Sequence, residues 1–471
     1  MNLFNHYKFL YIFKSSELKN ISFLVIIIIY FFIFLYLKSN ESEFIKDYFE
    51  FQSGLNFNIS SNNKQIKRKI RIGIYTVSLS DGGLQRITAR LINFLDGLKI
   101  FKIYLFNQKE KEPNEYKISN NINRVVIKNK NDVQYLLKKI KKKKIDLFIY
   151  QFPNLKEIKA LNNLKNTKTI FYIHSSFFYW FYTQWYLVLD IYKEYHNSKY
   201  VISIIPLEND YLFKKWGINS VFFENFPTYD YYSVIPSNLR DKKILLIGRG
   251  RNKLKRFALG IQSIEYIKIQ LPDVKLMIVS KLIELDEINN CVDNLNLQKN
   301  IIFANYSSDP SIYFRDASLN FLTSISEANP LVLSETKIYG IPNIILGLDY
   351  VSSAKNGTVI IYDDSPETLA KESLKILNKN IYKKKLSRDA RKSMKKFNNN
   401  NIYHDWKILL LSIINDVKNY TKYFVRKSNN SNELYNILKR QIILLNRRIP
   451  RIKNITISDI ENLPNIKKNF N

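Results

Sequence analysis

Ile70-Arg71-Ile72-Gly73-Ile74-Tyr75 is followed by Gly82-Gly83 and then by Leu84, Ile87, Leu91 and Leu95. An apolar run of strand length, a glycine turn and apolar residues at helical spacing make one strand-turn-helix unit. Outward from it, further apolar strands are expected at 102–106, 145–150, 169–173 and 200–205, with helical patterns between most of them. A break at 227–236 ends the series, and Lys243-Ile244-Leu245-Leu246-Ile247 starts it again. Strands at 275–279, 301–303, 319–323, 342–346 and 359–361 follow, with helices at 258–270, 311–316 and 331–339. Strand and helix alternating in this way mean parallel, doubly wound sheets. The expected fold class is therefore α/β, with one such domain at 69–235, a second at 236–415, and ligands held in a cleft beyond the carboxyl ends of the strands.

The remaining residues make up flanking segments. Ile21 to Leu37 runs seventeen residues without a charge, roughly 25 Å of helix, enough for a thin bilayer. Lys38-Ser39-Asn40 after it has no small-residue cleavage pattern, so the reading is an uncleaved transmembrane signal anchor rather than a signal peptide. Lys8, Lys14 and Lys19 precede it against Lys38 and Lys46 after it. The positive-inside rule thus favours a short cytosolic tail (1–20), a single-pass type II topology and a stem at 38–68 leading to a lumenal body. The endoplasmic reticulum or Golgi is the expected location. Residues 416–471 form a basic, Asn-rich extension in which Leu434, Leu438, Ile442 and Leu445 share one helical face, suited to packing or to an anionic lipid surface.

Across 471 residues, 73 Lys and Arg oppose 41 Asp and Glu, a net charge of +32. That excess invites a nucleic-acid reading, but no binding motif accompanies it and Lys is spread through the whole chain. The tightest run, Lys138 to Lys144, closes a helical pattern, where cations complement the helix dipole and face water. Specific nucleic-acid binding is not expected. Cys291 is the only cysteine, which excludes an internal disulfide scaffold.

Four clusters fall at the carboxyl ends of expected strands. Gly82 and Gly83 open a helix, where backbone can approach an anion closely. His174 ends Phe171-Tyr172-Ile173-His174. Arg249 follows Gly248, with Lys255 six residues on, so a short loop can turn both cations toward a diphosphate. Ser326-Glu327-Ala328-Asn329-Pro330-Leu331-Val332-Leu333-Ser334-Glu335 places two carboxylates across a strand end, a loop and a helix, with the N–H groups of Leu331 and Val332 free at the helix start.

Glu327 and Glu335 match an E-x7-E motif, and Gly248, Arg249 and Lys255 match a Gly-Arg-x5-Lys motif. With Tyr313 to Ser318 and Gly340-Ile341-Pro342 in the same order, the chain resembles the retaining GT-B glycosyltransferases of family 4, the glycosyl transferases group 1. The resemblance spans 69 to about 410. It implies two Rossmann-like domains facing a cleft, the first on the acceptor side and the second binding the donor. It further implies that Arg249 and Lys255 hold the diphosphate of a nucleotide-sugar, Glu335 the ribose hydroxyls and Glu327 the donor sugar. His174 stands beside the reacting sugar, and Gly82, Gly83, Asn329, Leu331 and Val332 complete the donor site. Three residues depart from the family pattern: Gln85 and Asn329 in the two loops, and Asn305 at a glycine position where asparagine tolerates a left-handed backbone. No D-x-D triplet occurs. The expected activity is metal-independent, cofactor-free hexosyl transfer to a glycan or glycolipid. A catalytically silent glycan- or partner-binding scaffold is the alternative, and a membrane-tethered polyanion binder a weaker one.

Overall fold

The computed structural model describes residues 68–449, apart from 81, 128–131, 227, 250, 251, 282–284, 396, 398 and 418–430. The expected anchor at 21–37 and, but for Arg68, the stem at 38–68 lie outside the described residues. Among the described residues, no helix is long and apolar enough to cross a membrane.

The first sheet contains β1 (Ile70–Thr76), β2 (Phe101–Asn107), β3 (Asn123–Val126), β4 (Leu147–Tyr150), β5 (Lys168–Ile173), β6 (Tyr200–Ser203) and β7 (Ser220–Phe222). All pairs are parallel, in the order β3-β2-β1-β4-β5-β6-β7. The second contains β8 (Lys243–Ile247), β9 (Lys275–Val279), β10 (Ile301–Ala304), β11 (Ala317–Leu322), β12 (Asn343–Leu346) and β13 (Thr358–Ile361), also parallel, in the order β10-β9-β8-β11-β12-β13. Each order reverses beside its first strand, between β1 and β4 and between β8 and β11. A crevice opens at such a reversal because the loops on its two sides run to opposite faces of the sheet.

The apolar runs read from the sequence are the buried strands. Ile72, Ile74, Leu105, Phe148, Ile149 and Ile170 are fully buried in the first sheet. Ile244, Leu246, Leu276, Ile278 and Leu319 form the second core with Ile261 and Ile264 of the helix Phe257–Gln270. Strands β3 and β7 are not among the expected elements. They are the edge strands of their sheet, one of them only three residues long, and edges need no long apolar run. The helix expected at 311–316 is a single 3₁₀ turn, Pro310–Tyr313, started by the Asp309 carboxylate on the Ser311 N–H.

Among the helices are α1 (Gly83–Gly97), α2 (Phe177–His196), α3 (Leu331–Ile338), α4 (Asn399–Ile414) and α5 (Ser431–Arg448). α4 follows the second sheet in the chain but packs on the first domain. Its buried Trp406 lies against Tyr172, Phe223 and Phe226, Tyr403 stacks on Phe94, and Lys168 donates to the carbonyls of Ile413 and Ile414. The lysine run ends the helix Val133–Lys143, with Lys141 to Lys143 in its last turn, Lys144 left-handed beyond it, and the side chains of Lys138, Lys141, Lys142 and Lys144 in water. Cys291 is a free, half-buried thiol.

Candidate active site

The loops after β1, β5, β8 and β11 surround one cleft cavity of about 540 Å³. His174, Gly82, Gly83, Arg249, Lys255, Glu327, Asn329, Leu331, Val332 and Glu335, the ten residues singled out from the sequence, all line it. They come from both domains.

Gly82 has φ +153°, and a Cβ there would lie 2.5 Å from Gln85 Oε1 and 3.0 Å from Arg249 Cζ. Glycine is thus required both by the backbone and by the guanidinium that reaches across from the second domain. Gln85 stays beneath the loop, its Oε1 buried without a partner. Arg249 itself is exposed.

Lys255 and Glu327 form an ion pair, and Ser324 Oγ donates to the same carboxylate oxygen at 2.6 Å. The two motifs therefore meet at one point, although the family resemblance implies separate duties for them. Tyr350 fixes the Glu327 backbone from both sides: its hydroxyl accepts from the Glu327 N–H at 3.1 Å and donates to the Glu327 carbonyl at 2.7 Å. Pro330 stands one residue before the first residue of α3, and no side chain caps the helix. Leu331 and Val332 line the cavity at that end, so amides without intrahelical partners lie at its wall.

Glu335, 3% exposed, pairs with Arg86 of α1 and accepts from Thr228. Burial works against the Arg86 charge, but Glu335 and then Tyr116 raise its pKa, so it stays a guanidinium. Its cation lies 5.3 Å from the centre of the Tyr116 ring, and the Tyr116 hydroxyl meets that of Tyr306 in the second domain at 2.5 Å. Sequence reasoning misses Arg86, Tyr116, Thr228, Tyr306 and Tyr350 because their partners lie on other elements. Arg86 alone carries a signal, as a cation one turn into the helix after the paired glycines.

Asn329 is also committed across the cleft: its side-chain amide donates to Glu224 at 3.1 Å and its backbone carbonyl accepts from the Asn225 side chain at 3.0 Å. Asn305 is not left-handed. The positive-φ residues do not include it, and its loop is held by a Tyr313 hydroxyl on the Asn305 carbonyl at 2.6 Å. His174 packs on Tyr172, with its Nε2 buried and unpartnered. Burial pulls its pKa down to about 3, so the imidazole is neutral near pH 7. Among the described residues, no group of three or more His, Cys, Asp or Glu side chains is placed to hold a metal ion.

Two parallel sheets with a shared cleft, cations and a helix start on one side and a neutral histidine on the other, define a protein of the GT-B glycosyltransferase fold. The particular family whose sequence profile residues 232–393 match, about a third of the chain, is Glycosyl transferases group 1. No curated protein matches the sequence. Solved structures agree on the fold at low identity. Sucrose-phosphate synthase from Thermosynechococcus elongatus is 16% identical with a TM-score of 0.62, covering 74% of this chain and 100% of that one. HepE from Anabaena, solved with UDP and glucose, is 12% identical with a TM-score of 0.59, covering 73% and 100%. TarM from S. aureus, solved with fondaparinux, α-GlcNAc-glycerol and UDP, is 12% identical with a TM-score of 0.59, covering 74% and 100%.

Proposed function

We propose that the chain transfers a sugar from a nucleoside-diphosphate donor to a glycan or glycolipid acceptor, with the anomeric configuration kept and without a metal or other cofactor. The observation that carries this is the convergence of Arg249, Lys255, Glu327, Glu335 and the uncapped start of α3 on one cleft cavity. Each group then has a role. Arg249 and Lys255 neutralise the diphosphate when bound and as it leaves with the bonding electrons. The N–H groups of Leu331 and Val332 donate to its oxygens or to those of the sugar. Glu335 takes the ribose hydroxyls, and Glu327 the donor sugar. Neutral His174 offers a hydrogen bond to a sugar hydroxyl without adding a charge that would compete for the diphosphate. The acceptor's proton is expected to pass to the departing diphosphate on the same face, so no enzyme carboxylate need form a covalent intermediate. We place the body on the lumenal side of an endoplasmic-reticulum or Golgi membrane, anchored through residues 21–37. UDP in two of the similar structures recommends a uridine donor as the first to test.

The test is a donor panel with the full-length protein, reading released nucleoside diphosphate and then the product's anomeric configuration. Glu327→Gln and Lys255→Ala are each expected to reduce transfer by roughly 10²-fold or more with the fold intact. Near-full activity in both variants would refute the assignment. A silent binding scaffold is favoured by one observation: Lys255 and Glu335 are already paired within the chain. Calorimetric oligosaccharide binding with no turnover of any donor would establish it.

A further inference from the structure

The extension after the second sheet contains α5, and its polar contacts reach the loops of the donor site. Arg448, whose side chain is 1% exposed, grips Asp364 with two hydrogen bonds of 2.7 and 2.6 Å and donates to the Ile325 carbonyl at 3.4 Å. Asp364 also pairs with Arg256 at 3.1 Å. Arg256 in turn donates to the Thr323 carbonyl at 2.7 Å, Thr323 Oγ1 donates to the Lys255 carbonyl at 2.6 Å, and the Ile325 N–H donates to the Leu254 carbonyl at 2.9 Å. The segment 323–325 and the turn 254–256 are thus laced together, with Arg448 bound to the first directly and to the second through Asp364. Lys255 belongs to the second of these segments, and Glu327 lies two residues beyond the first.

About two turns back along α5, the same helix holds the other support of Glu327. Arg440 binds Asp349 at 2.6 and 2.9 Å, and Gln441 donates to the Gly347 carbonyl and to Asp349. Gly347, at φ +64°, lets Leu444 approach so closely that a Cβ would lie 2.4 Å from it. Tyr350, next to Asp349, is the residue whose hydroxyl bridges the backbone of Glu327.

We propose that α5 is a working part of the donor site and that Arg448 is a positioning residue, fixing against each other the two chain segments that carry Lys255 and Glu327. The proposal rests on the sugar-transfer reading of this site. Two guanidiniums on one carboxylate suit such a brace, and a lysine at 448 keeps the charge but loses the planar fork that ties Asp364 and the Ile325 carbonyl together. Burial and then the Arg448 charge lower the Arg256 pKa to about 10, and the carboxylate the two arginines share, Asp364, acts in the opposite direction.

The experiment compares full-length wild type, Arg448→Met, Arg448→Lys and Leu136→Ala by hydrogen exchange over 252–257 and 323–328, together with kcat and donor KM. Leu136, 1% exposed in the helix Val133–Lys143 of the first domain, does not line the cavity, so its truncation controls for lost stability alone. Expected for Arg448→Met is faster exchange in both segments and kcat lower on the order of 10- to 100-fold, with partial recovery in Arg448→Lys and wild-type kcat in Leu136→Ala. Unchanged exchange in Arg448→Met would overturn the proposal, as would faster exchange with wild-type kcat, or an equal kcat loss in Leu136→Ala. Should Arg448→Met not fold, Arg448→Lys against Leu136→Ala decides in the same way. Absence of turnover in wild type across UDP-, GDP- and ADP-sugars counts against sugar transfer itself, while the exchange comparison still decides whether Arg448 holds the two segments.

Discussion

Arg86 and Glu335 are a buried ion pair whose halves belong to different domains, so each depends on the other remaining charged and in place. Arg86→Met leaves a carboxylate of 3% exposure without its cation and is expected to cost about 3–5 kcal/mol, read from the denaturant midpoint. Arg86→Met with Glu335→Gln should recover most of that loss, because no charge is then stranded. Two buried titratable groups give opposite pH slopes. His174 has a folded pKa of about 3 against 6.5 unfolded, so the unfolded chain binds the extra proton between these values and stability falls as pH is lowered through that window. Glu208, raised by burial to about 8 from 4.5, holds its proton in the folded state, so its contribution is full below 4.5 and is lost as pH rises toward 8. Unfolding midpoints against pH should therefore flatten on the acid side in His174→Asn and on the alkaline side in Glu208→Gln. A titrating His174 resonance between pH 5 and 8 would contradict the first of these.

At the scale of elements, α4 ties the end of the second domain to the first. Trp406, fully buried among Tyr172, Phe223 and Phe226, is expected to cost about 3–5 kcal/mol when cut to alanine, measured by denaturant unfolding. The strands that the sequence locates best, β8 and β9, are central and buried, where a continuous apolar run is obligatory. Those it misses, β3 and β7, are edges stabilised by the neighbour they pair with. The same limit applies to helices. Of the apolar face expected on α5, Ile442 and Leu445 are buried, but a periodicity does not name its partner. The structure packs the buried residues of α5 against protein and pairs its cations Arg440 and Arg448 with carboxylates of the second domain, Asp349 and Asp364.

For the whole molecule, the chain from Lys69 onward forms one compact unit. A fragment beginning at 69 is expected to unfold at the same denaturant midpoint as the full chain, while the full chain alone should sediment with membranes if 21–37 is an anchor. The chain carries a net charge of +32, and the fold places a few of its cations: Arg249 and Lys255 at the cavity, Arg86 on Glu335, Arg256 and Arg448 on Asp364. The sequence by itself determined the two α/β halves and the loops that carry the ten site residues, because strand burial, glycine turns and helix starts are local and leave periodic signs. Only the tertiary structure decided which side chains meet: that Lys255 pairs with Glu327, that Arg86 crosses to Glu335, and that a helix some 120 residues downstream holds the Glu327 loop. Those contacts join residues far apart in the chain, and their energies depend on distance and burial, which no spacing of letters encodes.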